Sequence, residues 1–154
     1  MHSAATGAAL FVLLSLAGVE SPAADATTAA AESVQGLVDQ YRDTLGLSPS
    51  VRVVLVDENP RVVSVARDLE APDTFVLAFE RAFLDELTPA EVRAVVAHEL
   101  GHVWIFDNHP YLQTEQLANE VALRLVTREE LASAYRKLHM VSGRLSAASR
   151  VPRP

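Results

Sequence analysis

The feature that most constrains this chain is the segment LTPAEVRAVVAHELGHVWIF, residues 87–106, in which an apolar helical pattern carries two histidines and a glutamate. Thr88 is a favourable N-cap, Pro89 suits the first helical position, and Glu91 completes a T-x-x-E capping box. The tetrapeptide DNHP then breaks the pattern. We therefore expect one largely buried helix that runs from Pro89 to about Phe106.

The two histidines, His98 and His102, are four residues apart, so on a helix they project from one face, one turn apart. Two imidazoles at this spacing can take adjacent positions on a tetrahedral Zn²⁺ ion, with bonds of about 2.0–2.1 Å. Glu99 would lie beside such an ion, about 100° further round the helix, where it can accept a proton from water. Gly101 would let another backbone approach this turn closely. The alternative is a pair of buried, hydrogen-bonded histidines, but polar groups in a valine-rich helix are costly unless a partner satisfies them.

The other ligands of the predicted zinc site must be histidine or carboxylate, because the chain contains no cysteine. His109 does not fit the metzincin pattern, since it follows His98 by eleven residues and that pattern requires ten. Glu115 and Glu120 both come level with the histidines if the next helix packs antiparallel. They point about 140° apart, so only one of them can face the metal, and helix geometry leaves the choice open. We expect one zinc ion per chain.

The length of 154 residues predicts a single domain, and the net charge of −7 makes it acidic. This charge argues against a nucleic-acid partner, because phosphate binding needs a basic face. The run AALFVLLSLAGV, residues 8–19, is too short to span a bilayer but has the length of a signal-peptide core. Small residues that suit cleavage after Ala23 or Ala26 follow it. We predict a signal peptide over residues 1–26 and an exported protein, secreted or periplasmic, with an uncleaved membrane anchor as the alternative.

The predicted mature chain is a domain over residues 27–142 with no integral membrane segment, followed by a flexible tail over 143–154. Its oligomeric state is left open. Hydrophobic periodicity predicts an α+β class with a small, mainly antiparallel sheet. TFVLAF would be an edge strand on which an extended peptide can pair, or a purely structural edge. The predicted strands cover residues 51–56, 61–67 and 74–79, and the predicted helices 34–45, 80–87, 89–106, 112–126 and 127–140.

Several stretches also resemble a known family. LTPAEVRAVVAHELGHV resembles the active-site helix of gluzincin metallopeptidases, especially the HtpX-like and CAAX-prenyl-endopeptidase family, and VRVVLVDENPRVVSVA and TFVLAFERAFLDEL are similar to the strands before it. EQLANEVALRL, residues 115–125, is similar to the family's E-x-x-A-D helix and closer to the E-x-x-A-N form of ImmA/IrrE-type peptidases. The resemblance covers roughly residues 48–126. As a whole the chain resembles a minigluzincin-like domain.

The resemblance implies a minimal zincin-like domain, in which the sheet packs on the HExxH helix and on a following glutamate helix. It also implies that Glu115 is the third zinc ligand, that Asn119 orients a ligating histidine, and that Glu99 is the catalytic base. Two departures stand out. Asn119 replaces the carboxylate of the HtpX-like pattern, and only twelve residues separate His102 from Glu115, so the insertions of that family are absent. Without a multi-span membrane domain, a prenyl-protein substrate is not expected.

We therefore expect an exported zinc-dependent metalloendopeptidase that acts on a peptide or protein substrate. One alternative is a zinc-stabilised binding or regulatory module of the same fold that is catalytically inactive. A second is a helical structural domain without metal. A peptidase also needs a donor to the oxyanion that forms at the attacked carbonyl. Side chains that would supply it are His109, Tyr111, Tyr135, His139 and Arg144.

Overall fold

Five helices and a three-stranded sheet make up the part of the chain that the computed structural model describes, residues 22–148. The predicted α+β class is confirmed. Within residues 22–148, no helix is both long enough and apolar enough to cross a membrane. The elements are α1 (Pro22–Leu45), β1 (Ser50–Val56), β2 (Val63–Arg67), β3 (Thr74–Glu80), α2 (Arg81–Glu86), α3 (Pro89–Asn108), α4 (Glu115–Ala122) and α5 (Arg128–Ala148).

The ends of the chain bear on the predicted signal peptide and tail. The apolar run over residues 8–19 lies outside the described residues, and the predicted cleavage positions after Ala23 and Ala26 fall in the first turns of α1. Helix α5 continues to Ala148, so it includes the first six residues of the predicted tail, while residues 149–154 are outside the described range. Both helices are therefore longer than their hydrophobic patterns predicted.

The sheet has the order β1-β3-β2, with β1 parallel to β3 and β2 antiparallel to it. The prediction of a mainly antiparallel sheet is therefore wrong for one of the two pairings. The prediction that TFVLAF forms an edge is also wrong, because β3 is the central strand. Its alternate residues Phe75, Leu77 and Phe79 are buried in the core. Alternation shows which face of a strand is buried, but it does not show which strands lie on either side.

The outer edge of β1 is covered by a side chain of α1. The Gln35 amide donates from Nε2 to the Val51 carbonyl oxygen at 2.9 Å, and its Oε1 accepts from the Val53 N–H at 2.8 Å. These bonds take the place of a neighbouring strand and block further pairing on this side.

Within the described residues no further strand pairs with the outer edge of β2, where the Val65 N–H faces the Glu99 carboxyl group. The Val62 carbonyl and the Asp68 N–H bond to β3 at 2.8 Å each, so the even-numbered residues of this strand face β3. In an antiparallel pair, bonded and non-bonded positions alternate. The N–H and C=O groups of Val63, Val65 and Arg67 therefore point away from the sheet.

Helix α3 lies at the centre of the fold and packs against α1, α4, α5 and β2. Its predicted capping box is confirmed, because the Thr88 side chain accepts from the Glu91 N–H and the Glu91 side chain accepts from the Thr88 N–H. The predicted close approach at Gly101 is also confirmed. A Cβ atom there would lie 2.5 Å from the Ala118 carbonyl oxygen on α4. Only glycine at position 101 lets the two helices come this close.

Candidate metal centre

Three side chains from α3 and α4 converge in a geometry that fits a tetrahedral metal ion. The Nε2 atoms of His98 and His102 are 3.2 Å apart. The Glu115 carboxylate lies 3.2 Å from His98 Nε2 through Oε2 and 3.4 Å from His102 Nε2 through Oε1. Neighbouring ligands on tetrahedral zinc, with bonds of 2.0–2.1 Å, are about 3.3 Å apart. The nitrogen and oxygen donor set also suits zinc, so these residues could hold the ion.

The structure separates the two glutamates that helix geometry alone did not. Glu115 is the first residue of α4, directly after the Thr114 N-cap, and it lies against the histidines. Glu120 is exposed and accepts a hydrogen bond from Gln116 Nε2 at 3.0 Å. The rotation of α4 about its axis decides which glutamate faces the histidines, and the close contact at Gly101 fixes where α4 packs.

His98 is held by two polar side chains on the side away from the ligand cluster. Its Nδ1 lies 2.9 Å from Asn119 Oδ1, and the Tyr135 hydroxyl donates to the same Oδ1 at 2.9 Å. If Nδ1–H donates to Asn119, the Nε2 lone pair faces His102 and Glu115, as a metal ligand requires. Burial and, secondly, the neighbouring His102 lower the pKa of His98, which favours the neutral imidazole that a metal ligand requires. Asn119 therefore lies within hydrogen-bonding distance of His98, and the role that the resemblance implies for it stays a prediction.

The second histidine has a partner that the sequence reasoning missed. Gln113 Oε1 is 3.4 Å from His102 Nδ1, and Gln113 Nε2 donates to the His102 carbonyl oxygen at 3.3 Å. Gln113 lies in the short connection between α3 and α4. The available signal was the short spacing in the sequence. Only twelve residues separate His102 from Glu115, so the segment between them has little room to move away from His102.

Glu99 is a buried carboxyl group beside this cluster, with 8% of its surface exposed. Burial is the main cause that raises its pKa to about 7, and the charge of Glu115 adds to the shift. Arg61 and the facing backbone N–H of Val65 on β2 oppose it. A carboxyl group with a pKa near 7 can both accept and release a proton at neutral pH.

The cluster lines a cleft of about 540 Å³. One wall is formed by all five residues of β2, from Val63 to Arg67, and the other residues include Arg61, Phe106, Gln113 and Tyr135. We call this the β2 cleft. The open edge of the sheet and the candidate metal ligands therefore share one cavity.

Of the five predicted oxyanion donors, only Tyr135 lines the β2 cleft. Its hydroxyl is engaged by Asn119, and burial raises its pKa, so it keeps its proton at pH 7. The structure does not bring the other four to the cleft lining. Tyr111 is 97% exposed, His109 caps α3 and contacts Trp104, His139 stacks on Tyr135, and Arg144 pairs with Glu86. Spacing in the sequence could not separate them, because the packing of α5 and of the α3–α4 connection against the cleft decides which side chains reach it.

The fold and the His-His-Glu cluster together define a gluzincin-type zinc metallopeptidase domain, which confirms the resemblance found in the sequence. The chain belongs to peptidase family M48, whose sequence profile matches residues 29–149. A comparison with curated proteins finds no match.

Proposed function

We propose that this protein is a zinc-dependent endopeptidase that cuts an extended peptide held along β2. The observation that carries the proposal is the position of buried Glu99 between the His98, His102 and Glu115 cluster and the open edge of the sheet. A purely structural zinc site needs the three ligands, but it does not need a buried carboxyl group with a raised pKa beside them. Membership of family M48 supports a peptidase.

His98, His102 and Glu115 would hold one zinc ion per chain, and the bound ion would polarise the attacked carbonyl and make a water molecule more acidic. Glu99 accepts the proton from the attacking water on a carboxylate oxygen. It then passes that proton to the nitrogen of the departing amine, so it leaves the reaction in its starting state. A raised pKa matches this double role, because neither transfer is then strongly uphill.

The substrate would add to β2 as another strand. Val63, Val65 and Arg67 direct backbone donors and acceptors into the cleft, and Val65 is the residue whose N–H faces Glu99. Backbone pairing of this kind is independent of side chains, so it holds a peptide in register beside the catalytic group. Pairing with an extended peptide, which the sequence analysis predicted for TFVLAF in β3, is thus proposed for β2.

The test measures bound zinc and peptide cleavage together, in wild type, Glu99→Gln and His98→Ala. Glu99→Gln keeps the size of the side chain and all three ligands, so we expect zinc content to persist while the cleavage rate falls by about 10²–10⁴. His98→Ala should lose zinc and activity together. Wild type that holds zinc but cuts no member of a broad peptide library would contradict the proposal and favour the inactive, zinc-stabilised module. If no metal is bound after refolding with zinc, both the peptidase proposal and the zinc-stabilised module are contradicted.

We further propose that the protein is exported, as secreted or periplasmic protein. The support is the apolar run over residues 8–19 and the small residues that follow it. N-terminal sequencing of the protein from its native host should find a first residue near position 24 or 27. A chain that still begins at Met1 would count against cleavage and favour the membrane anchor.

A further inference from the structure

Arg67, at the end of β2, contacts two aromatic rings and has no carboxylate partner among the described residues. Its guanidinium carbon lies 4.4 Å from the centre of the Phe106 ring and 5.9 Å from that of Phe75. The centres of these two rings are 5.3 Å apart in an edge-to-face contact, which stabilises the surface on which the guanidinium group lies. Among residues 22–148, Arg67 makes no hydrogen bond and no ion pair.

The contact with the two rings is important because it positions the guanidinium group, while no hydrogen bond from residues 22–148 occupies its N–H groups. A guanidinium has five N–H donors in a planar fork that matches the two oxygens of a carboxylate. Other surface arginines of this protein pair with carboxylates of the same chain, as Arg52 does with Asp68 and Arg144 with Glu86. Arg67 lines the β2 cleft together with the candidate metal ligands.

The charges of the β2 cleft favour an anionic group although the whole protein is acidic. Two carboxyl groups, Glu99 and Glu115, and two guanidinium groups, Arg61 and Arg67, line it. With both carboxyl groups ionised these four charges cancel, so a bound Zn²⁺ ion would leave the cleft positive. The chain as a whole has a net charge of −7. With the ion bound, the cleft would therefore favour a negatively charged group locally, although the molecule as a whole is negative.

Strand geometry gives the distance between Arg67 and Val65, the residue whose backbone N–H faces Glu99. Arg67 follows Val65 by two residues, so the two side chains lie on one face of β2, about 7 Å apart along the strand. Val65 is the residue that faces Glu99. A carboxylate that reaches Arg67 would therefore belong to a peptide residue about two positions from the bond that is cut.

We propose that Arg67 is a specificity-determining residue that binds a carboxylate of the substrate, about two residues from the scissile bond. This inference rests on the proposed peptidase function and names its substrate class, an acidic peptide. The carboxylate can come from a Glu or Asp side chain or from the free C-terminus of the peptide. Both have the same planar oxygen pair, and the experiment distinguishes them.

The experiment uses fluorogenic peptides in which Glu is exchanged for Gln at each position in turn, with either a free or an amidated C-terminus. The quantity measured is kcat/KM with the zinc-loaded full chain. Wild type should prefer Glu to Gln at one position by about three- to tenfold, as expected for one ordered but solvent-accessible ion pair. Dependence on the free C-terminus in place of a Glu side chain would identify the terminal carboxylate as the ligand.

Variants of Arg67 test whether the preference for a carboxylate in the substrate depends on this arginine. Arg67→Gln should abolish the preference, and Arg67→Lys should keep part of it, because lysine retains the charge but lacks the fork. Arg128→Gln is the matched control, since Arg128 is exposed at the start of α5 and outside the cleft lining, and it removes the same charge. This control should keep the preference. High salt should weaken it in wild type.

The inference is overturned if wild type cuts peptides with no preference for either carboxylate, or if the preference survives in Arg67→Gln. The peptidase proposal would stand in both cases. If wild type cuts no peptide, the peptidase proposal fails, and binding of the same labelled peptides by fluorescence anisotropy decides the inference. Tighter binding of the acidic peptides that is lost in Arg67→Gln would support it, and equal binding of both sets would refute it.

Discussion

Glu99 makes the stability of the metal-free protein depend on pH in a way that one substitution can reveal. Its pKa is about 7 in the folded chain, raised first by burial and then by Glu115, against an ordinary value near 4.5 when the chain is unfolded. Between pH 4.5 and 7 the folded protein therefore holds a proton that the unfolded protein has released. The free energy of unfolding then falls as pH rises, by about 1.4 kcal/mol per pH unit from this group.

The contribution of Glu99 is fully favourable below pH 4.5 and is lost as pH rises through 7, a total of about 3 kcal/mol. Glu99→Gln has a similar shape but no ionisation. The difference in unfolding free energy, variant minus wild type, should thus increase by about 3 kcal/mol between pH 4 and pH 8. Titrating groups far from Glu99 contribute equally to both proteins and cancel in the difference, so the remaining pH dependence belongs to Glu99 and the Glu115 carboxylate coupled to it.

The assay is urea unfolding of both proteins followed by circular dichroism at half-unit pH steps, with a chelator present throughout because zinc binding has its own pH dependence. We expect the two curves to separate mainly between pH 4.5 and 7. A difference that stays constant within about 0.5 kcal/mol across this range would refute the reasoning, because the carboxyl group would then be as well solvated in the folded chain as in the unfolded one.

Three further predictions concern the metal ligands and their supports. Gly101→Ala places a methyl group against an α4 carbonyl, so unfolding experiments should show a loss of about 1–3 kcal/mol together with weaker zinc binding, and unchanged values would contradict the close approach. In zinc titrations, Glu115→Ala should lower affinity strongly and Glu120→Ala by no more than a few-fold; the reverse would reassign the third ligand. Tyr135→Phe should lower zinc affinity by about tenfold in the wild-type background. In the Asn119→Asp background, Tyr135→Phe should lower zinc affinity much less, because the carboxylate needs no hydroxyl to orient it. An equal loss of zinc affinity in both backgrounds would assign Tyr135 a purely structural role.

The sequence by itself determined the features that depend on neighbouring residues. The capping box at Thr88 formed as predicted, because it joins residues three apart within one helical turn. The pairing of His98 with His102 follows from helical pitch, and the glycine between them marked a close backbone approach. Local geometry does not change with the rest of the fold, so these predictions needed no knowledge of it.

Tertiary structure decided which distant segments meet. The central position of β3 and the open edge at β2 depend on strand pairing, about which hydrophobic alternation carries no information. Helix geometry left Glu115 and Glu120 equivalent, and the packing of α4 on α3 separated them. The contact between Tyr135 and Asn119, sixteen residues apart on different helices, likewise has no local signature. Such contacts depend on how whole elements pack, and the pattern of apolar residues specifies that one face is buried without specifying its partner.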